Sequence, residues 1–359
     1  MGEVARRPCQ PTRSQREIAR RNSLLPDFAP IGANLNRMDT PDDRHLQPQD
    51  VQNRVSAWHG ACKGEGHHPD TEHAMQVEAF FDPATWTLTY VVFDPDTRDA
   101  VVIDPVLDFD PLRVSTHETS NGKVLAFVRE QGLSVHYVLD THAHADHLSG
   151  SQGLKQALGA KTGIGAHITA VQEVFKGLFH FSDDFATDGS QWDVLVREGQ
   201  PLVAGSLTIE AIHTPGHTPA CTTYKIRDAL FTGDTMFMPD FGTGRCDFPG
   251  GSAEQLYDSI QKLYALPDET RVFVGHDYQP NGRDLAWETS IGAAKRENIQ
   301  LRGDTDKAQF VTWRSERDAT LAPPSLIFQS VQVNADGGRL PAPESNGLRY
   351  LRMPMGVFG

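Results

Sequence analysis

Four side chains that can bind a metal ion lie within six consecutive residues: His142, His144, Asp146 and His147. The apolar residues 133–139 before them predict a buried strand that ends at this motif. Because alternate side chains of an extended chain point the same way, His142 and His144 face one side. A helix beginning near His147 would return that imidazole and Asp146 to the same pocket. The spacing therefore predicts a metal site at a strand-to-helix junction, and the alternative is a loop of solvated histidines.

Three later segments each place one further ligand candidate after a predicted strand. His217 follows a strand through a Pro-Gly turn that aims it inward, whereas His213, at the strand end, is the weaker ligand candidate. Asp234 follows a short strand, and a carboxylate there can bind one cation or bridge two. His276 also follows a strand. With the first motif these side chains make seven ligand candidates, which is enough for two metal ions.

The elements that must position these ligands are strands followed by helices, in two successive groups. This order predicts an α/β protein, namely a sandwich of two mixed sheets flanked by helices. The turn of a hairpin is expected at residues 94–97. Helices are expected at residues 123–131, 148–158, 253–266 and 285–300, and a last strand at 348–353.

Composition divides the 359 residues into three parts. Residues 1–75 are polar and lack a sustained hydrophobic period, which predicts a disordered tail. Residues 76–335 carry all the candidate ligands and form the expected catalytic domain. Residues 336–359 are rich in Gly and Pro and are expected to pack on the core or on a partner subunit.

Charge and cysteine usage exclude several classes of protein. The net charge of −14 and the lack of a basic stripe argue against a nucleic-acid surface. No apolar run approaches the roughly 18 residues of a membrane span, so we expect a soluble protein. The cysteines are widely spaced without a C-x-x-C pair, which is typical of a reducing compartment; they are Cys9, Cys62, Cys221 and Cys246. We expect a cytoplasmic protein, although the arginine-rich amino end leaves organelle import as the alternative.

The order H-x-H-x-D-H, then His217, Asp234 and His276, resembles the metallo-β-lactamase superfamily over about residues 77–300. That resemblance implies an αββα sandwich. Within the superfamily the chain is similar to the persulfide dioxygenases of bacterial type, on residues 231–234, 239–248, 275–278 and 326–341. The resemblance implies a non-haem iron enzyme with one Fe(II) per chain. Such an enzyme oxidises glutathione persulfide with O2 to sulfite and glutathione, in sulfide detoxification.

The same resemblance assigns roles to individual residues. It implies that iron is held by two imidazoles and one carboxylate, from His142, His217 and Asp234. The remaining candidates would orient these ligands or hold a second metal; they are His144, Asp146, His147 and His276. Arg245 would bind a glutathione carboxylate, with a surface ion pair to Asp247 as the alternative. Asp277 and Tyr278 would support Arg245 and line the substrate pocket, and Tyr278 would also take part in catalysis.

Other functions remain open at this stage. A glyoxalase II-like enzyme would use the same seven side chains to hold two Zn ions and hydrolyse a glutathione thioester. The basic carboxy-terminal residues that bind glutathione in that enzyme have no clear counterpart, although Lys295 and Arg296 lie in the same neighbourhood. A non-enzymatic sulfur sensor is a third possibility. The residues do not distinguish glutathione, coenzyme A and hydrogen persulfide as carriers, and the resemblance allows a homodimer.

Overall fold

A computed structural model describes residues 75–357. The predicted disordered tail lies outside the described residues, apart from Met75. The strands are β1 (Gln76–Asp82), β2 (Thr87–Phe93), β3 (Asp99–Ile103), β4 (Val106–Asp110), β5 (Ser115–His117), β6 (Ser134–Asp140), β7 (Leu148–Ser149), β8 (Lys161–Gly165), β9 (Val194–Val196), β10 (Leu202–Ala204), β11 (Leu207–His213), β12 (Thr222–Ile226), β13 (Ala229–Phe231), β14 (Arg271–Phe273) and β15 (Glu288–Ser290). The α-helices are α1 (Thr119–Gln131), α2 (Ser151–Leu158), α3 (Ile168–Leu178), α4 (Ala253–Tyr264), α5 (Ile291–Glu297), α6 (Lys307–Asp318) and α7 (Ile327–Asn334).

Two six-stranded sheets carry the site. The first has the order β1-β2-β3-β6-β8-β9, with antiparallel pairs from β1 to β3 and parallel pairs from β3 to β9. The second has the order β10-β11-β12-β13-β14-β15 and is antiparallel except for the parallel pair β13–β14. The prediction of two mixed sheets flanked by helices is therefore confirmed. A small sheet of β5, β4 and β7 lies beside them.

The alternation of side chains along β2 explains the layered packing. Leu88 and Tyr90 share one buried cluster with Tyr224 of the second sheet, so this face of β2 lies in the core between the sheets. Val91 and Phe93 point to the opposite side, where they join a cluster with residues of α1 and α2. Every residue of β2 is consequently buried, as expected for a strand that is covered on both faces.

The helix expected at 123–131 begins four residues earlier, at Thr119, and three other expected elements differ more strongly from the observed ones. The helix expected at 285–300 begins only at Ile291, because residues 288–290 pair with β14 and the Ser290 hydroxyl then accepts a hydrogen bond from the Ala293 amide. The helix after the ligand motif begins at Ser151 rather than near His147, since Leu148 and Ser149 pair with β4. The strand expected at 348–353 is wrong: these residues form no regular element.

The carboxy-terminal segment contacts the domain at a few positions. The Gln332 side chain on α7 exchanges two hydrogen bonds with the Arg352 backbone, at 2.9 and 3.0 Å. Leu340 and Leu351 pack against a small cluster beneath β4 and β7. None of the helices within residues 75–357 combines the length and the hydropathy of a membrane span.

Candidate metal centre and active site

The H-x-H-x-D-H loop leaves the end of β6 and is held in place by Asp104, a buried carboxylate directly after β3. Asp104 accepts hydrogen bonds from the Thr141 amide at 2.7 Å, the Thr141 hydroxyl at 2.9 Å and His144 Nε2 at 3.0 Å. Asp104 is not among the residues that the sequence motifs single out. The signal was an acid at the carboxyl end of a predicted strand, which is where the other ligands also lie.

Asn334, the last residue of α7, holds the loop from the other side. Its side-chain amide donates to the carbonyl oxygens of His144 at 2.8 Å and His147 at 2.7 Å, and its Oδ1 accepts from the Ser149 amide at 2.8 Å. Asn334 is buried. No local pattern identifies it, because its partners lie about 190 residues away in sequence.

Two glycines allow the other ligands to approach the loop. Gly216 has φ of 143°, and a Cβ at this position would lie 2.4 Å from the Leu256 backbone. Gly233 has φ of 48°, and its Cβ would lie 2.3 Å from the Thr141 hydroxyl. Only glycine fits such a conformation so close to neighbouring atoms. His217 and Asp234, each next to one of these glycines, thereby reach the same pocket.

The seven predicted ligands come together. The ligand atoms of His142, His217 and Asp234 all lie within 4.8 Å of one another, and these three residues are buried. A second set with the same spacing is formed by His144, Asp146 and His147. The seventh residue lies between the sets: His276 Nε2 is 3.2 Å from Asp234 Oδ1 and 3.3 Å from Asp146 Oδ2.

His213 lies outside this cluster. Its Nε2 donates to the Pro219 carbonyl at 3.0 Å, and its ring stacks on His167 with centroids 3.7 Å apart. The chain reverses between His213 and His217, so the His213 imidazole contacts Pro219 and His167 while the His217 imidazole lies near His142 and Asp234. The sequence-based preference for His217 over His213 as a ligand agrees with this placement.

The hydrogen bonds around the histidines fix which ring nitrogen faces the pocket. The Thr141 hydroxyl gives its proton to Asp104, so it accepts from His142 Nδ1 at 3.1 Å and leaves His142 Nε2 with its lone pair. His217 Nδ1 donates to the Arg245 carbonyl at 2.7 Å, and His147 Nδ1 donates to the Leu148 carbonyl at 3.1 Å. Each Nε2 is then available as a metal ligand.

Three nitrogens that face the pocket are buried without a hydrogen-bond partner: His142 Nε2, His144 Nδ1 and His147 Nε2. His276 Nε2, Asp146 Oδ2 and Asp234 Oδ1 approach one another to 3.2–3.3 Å but form no hydrogen bond of good geometry. Buried polar atoms are normally paired, since leaving one unpaired costs about 1–3 kcal/mol. A bound cation would satisfy imidazole and carboxylate atoms together. The donor set therefore fits a metal ion, and the cluster is a metal-binding site.

The protonation of the cluster also fits a cation. Burial opposes charge on His276, yet the carboxylates of Asp234 and Asp146 raise the pKa of its imidazole to about 10. Burial likewise opposes charge on His144, but Asp104 raises the pKa of that ring to about 9. Burial lowers the pKa of His142 well below its ordinary value. Protons thus compensate the buried carboxylates in the metal-free protein, and a metal ion would displace some of them.

A cavity of about 570 Å³ opens onto the ligand candidates Asp146, His217 and Asp234. Tyr278 lines this cavity, with its ring stacked on His276 and in contact with Phe241. Desolvation by the cavity walls and the carboxylates of Asp234 and Asp146 raise the pKa of Tyr278 well above its ordinary value. Its phenol therefore stays protonated and can donate a hydrogen bond.

Arg245 lies in the cavity wall but is already paired. Its Nε and one terminal nitrogen donate to the two carboxylate oxygens of Asp247 at 2.6 Å, and the other terminal nitrogen donates to the Ala322 carbonyl at 2.7 Å. This ion pair with Asp247 is the alternative to substrate binding that the sequence offers. A guanidinium has five N–H groups, so two remain for a substrate.

Asp277 differs from its expected role. It is fully buried, and both of its carboxylate oxygens accept hydrogen bonds from Arg283 at 2.7 Å. It also accepts from the Ala286 amide at 2.8 Å. Asp277 supports Arg283 rather than Arg245 and is not part of the cavity wall described here. The backbone turn after His276 directs its side chain behind the wall, whereas the next residue, Tyr278, faces the cavity.

The basic residues considered as counterparts of the glyoxalase II glutathione site also lie outside the described cavity wall. Lys295 pairs with Asp268 at 2.5 Å, and Arg296 lies 3.8 Å from Glu297.

Comparison with known proteins places this geometry in a family. The family model described as the metallo-β-lactamase superfamily matches residues 87–276. The chain is 51% identical over 282 residues to the β-lactamase hydrolase-like protein of Agrobacterium fabrum; the match covers 79% of this chain but only 65% of that protein. It is 33% identical to the human mitochondrial persulfide dioxygenase ETHE1, over 55% of this chain and 66% of that protein. The crystal structure of ETHE1 from Myxococcus xanthus superimposes with a TM-score of 0.59 and 34% identity, covering 74% of this chain and all of that one. The chain therefore belongs to the metallo-β-lactamase superfamily and is related to the persulfide dioxygenases within it.

Proposed function

We propose that this protein is a mononuclear non-haem iron persulfide dioxygenase that oxidises glutathione persulfide with O2 to sulfite and glutathione. The observation that carries the proposal is the buried set of His142, His217 and Asp234, whose ligand atoms lie within 4.8 Å of one another. Two imidazoles and one carboxylate are the ligand set typical of Fe(II) oxygenases. The similarity to the human protein named persulfide dioxygenase ETHE1 supports a persulfide as the substrate and O2 as the oxidant.

The reaction balances with water as a third reactant. Glutathione persulfide, O2 and water give glutathione and sulfurous acid, so both atoms of O2 pass to the terminal sulfur and water supplies the third oxygen. Four electrons pass from sulfur to O2, and the sulfur–sulfur bond breaks. When bound, ferrous iron would supply the redox chemistry that lets O2 react with a sulfur anion.

The side chains around the site have separate tasks in this proposal. The hydrogen bonds from His142 to Thr141 and from His217 to the Arg245 carbonyl hold the imidazoles in one orientation. Tyr278, which keeps its proton, donates a hydrogen bond to the anionic sulfur or to the sulfite that leaves. Apolar walls, including Phe237 and Phe248, restrict water around the reacting sulfur.

A second candidate function is a binuclear zinc hydrolase that cleaves glutathione thioesters. The observation that favours it is the second set of ligands, His144, Asp146 and His147, which also lies within 4.8 Å and has unpaired nitrogens. Asp234 belongs to the first set, and its carboxylate could bridge two ions, since its Oδ1 lies 3.2 Å from His276 Nε2, which is itself 3.3 Å from Asp146 Oδ2 of the second set. The name of the Agrobacterium relative also refers to a hydrolase.

Metal analysis and two activity assays test the proposal. We expect the protein purified without oxygen to contain one iron per chain and to take up O2 when glutathione persulfide is added. Asp234→Asn should lose the iron, whereas His147→Gln should keep it. His213→Gln is the matched control, because it changes a histidine outside the cluster. Two metal ions per chain, together with hydrolysis of S-lactoylglutathione and no persulfide-dependent O2 uptake, would refute the proposal.

A further inference from the structure

The cavity extends from the metal-binding residues to α6, which forms part of its outer wall. Trp313, Arg314 and Arg317 of α6 line the cavity together with Leu321. Hydrogen persulfide, with two sulfur atoms, would fill only a small part of about 570 Å³. Cavities of about 300–1,000 Å³ typically hold organic ligands, so the size favours a persulfide on an organic carrier.

Two of the three arginines that line the cavity are neutralised by carboxylates. Arg245 forms the two-point pair with Asp247. Arg314 is buried on α6 and pairs with Asp318 one turn further along the same helix. A substrate carboxylate gains little net charge attraction from a guanidinium that an acid already neutralises.

Arg317 is the arginine of this wall without a carboxylate partner among residues 75–357. It is exposed, and its described side-chain hydrogen bond goes to the neutral Thr320 hydroxyl at 3.1 Å. The neighbouring acids Glu316 and Asp318 cannot compensate it, because adjacent residues of a helix point in different directions. Positions three and four residues away hold no acid. One uncompensated positive charge therefore lies in the exposed part of the cavity wall, whereas the ligand candidates His217 and Asp234 in the same wall are buried.

We propose that Arg317 binds an anionic group at the far end of the thiol carrier and thereby selects organic persulfides over hydrogen persulfide. The exposed ring of Trp313 and the side chain of Leu321 offer an apolar surface to the carrier between the two ends. The carboxylates of glutathione and the phosphates of coenzyme A share this chemistry. The inference rests on the proposed function for the reacting sulfur, but the anion site can be tested without turnover.

Binding without O2 isolates the anion site. Arg317→Met removes the charge and keeps most of the side-chain length, and Arg129→Met on the exposed surface of α1 is the matched control. Calorimetry on the metal-loaded protein should show glutathione bound about 10- to 100-fold more weakly by Arg317→Met, the usual effect of losing a charged hydrogen bond. Glutathione diethyl ester, with both carboxylates masked, should bind equally to wild type and variant. If Arg317→Met loses the same affinity for glutathione and for its diester, the inference is overturned. It is also overturned if the variant binds every thiol as tightly as wild type does.

Two further measurements complete the design. If coenzyme A binding, rather than glutathione binding, depends on Arg317, the anion is a phosphate and the carrier is coenzyme A. O2 uptake separates the two proposals: a higher KM for glutathione persulfide at unchanged kcat, with no change for hydrogen persulfide, supports both. Loss of glutathione binding in a protein that shows no persulfide-dependent O2 uptake refutes the function but not the anion site. An unchanged KM in an active enzyme refutes the anion site alone.

Discussion

Replacing Asn334 by Asp should destabilise the protein in a way that depends on pH. The side-chain amide of Asn334 donates to two carbonyl oxygens of the ligand loop, while its Oδ1 accepts from the Ser149 amide. An aspartate has nearly the same shape, but an ionised carboxylate would place a negative oxygen against those two carbonyls. Because the site is buried, the carboxyl group of the variant must hold a proton to fit.

The magnitude follows from two contributions. A protonated carboxyl donates one hydrogen bond where the amide donated two, and the carbonyl left unpaired costs about 1–3 kcal/mol. Keeping the proton at pH 7 against an ordinary pKa of about 3.9 costs about 4 kcal/mol at 1.36 kcal/mol per pH unit. We expect Asn334→Asp to lower the free energy of unfolding by about 5–7 kcal/mol at pH 7.

Asn334→Asp should be destabilised more strongly at high pH than at low pH. The pKa of the new carboxyl is raised in the folded state, so its penalty is small below the unfolded pKa and grows as the pH rises. The difference in the free energy of unfolding between Asn334→Asp and wild type should be about 3 kcal/mol smaller at pH 5 than at pH 7.

Urea denaturation of the metal-free protein at both pH values measures this difference, with the exposed Asn346→Asp as the control. A difference that is the same at pH 7 and pH 5 would refute the role of the two donated hydrogen bonds.

Three other changes test separate features of the structure. Tyr278→Phe should leave iron content unchanged and lower kcat for O2 uptake about tenfold, the effect of one hydrogen bond to a charged group; unchanged turnover would remove Tyr278 from the reaction. Burial opposes charge on Asp94, but hydrogen bonds from the Asp96 amide and Arg227 lower its pKa to about 2. The stabilisation that ionised Asp94 gives to the folded state is therefore present above pH 4 and is lost as the pH falls towards 2. In urea denaturation, Asp94→Asn should lower the free energy of unfolding by about 2 kcal/mol at pH 7, and this difference from wild type should vanish near pH 2. Trp86 lines the cavity with φ of 56°, a left-handed conformation costly for a large side chain. In thermal unfolding, Trp86→Gly should be more stable than Trp86→Ala by about 1 kcal/mol, because both remove the ring and only glycine relieves the backbone.

The ligands could be predicted from the sequence because their signals are local. Each candidate follows an apolar run that predicts a strand, and the ends of neighbouring strands meet at one edge of the sheets. His217 could be separated from His213 by the Pro-Gly turn alone. The same reasoning predicted the two mixed sheets, since hydrophobic patterns report which faces of a strand are buried.

Residues that act across the fold could not be predicted in this way. Asn334 contacts His144 and His147 from a helix near the end of the chain, and nothing in its neighbourhood distinguishes it from a helix terminus. The sequence offers the ion pair of Arg245 with Asp247 only as an alternative, because the geometry of the two side chains follows from the loop conformation. The sequence predicts a helix from residue 285, but residues 288–290 form the strand β15 because pairing with β14 overrides local propensity.

The number of metal ions is the property of this site that residue types alone leave open, since both candidate functions use the same seven side chains. The net charge of the metal site distinguishes the two candidate functions. One Fe²⁺ with Asp234 leaves a net charge of +1, which complements a single persulfide anion. Two Zn²⁺ ions with Asp234 and Asp146 leave +2, which requires a hydroxide as well as an anionic substrate. His276 lies within 3.3 Å of a carboxylate oxygen of both acids, so it either shares a proton with them or binds a second ion. The carboxylate of Asp146 is needed for a second ion but not for the first, and iron retained by an Asp146→Asn variant would favour oxidation over hydrolysis.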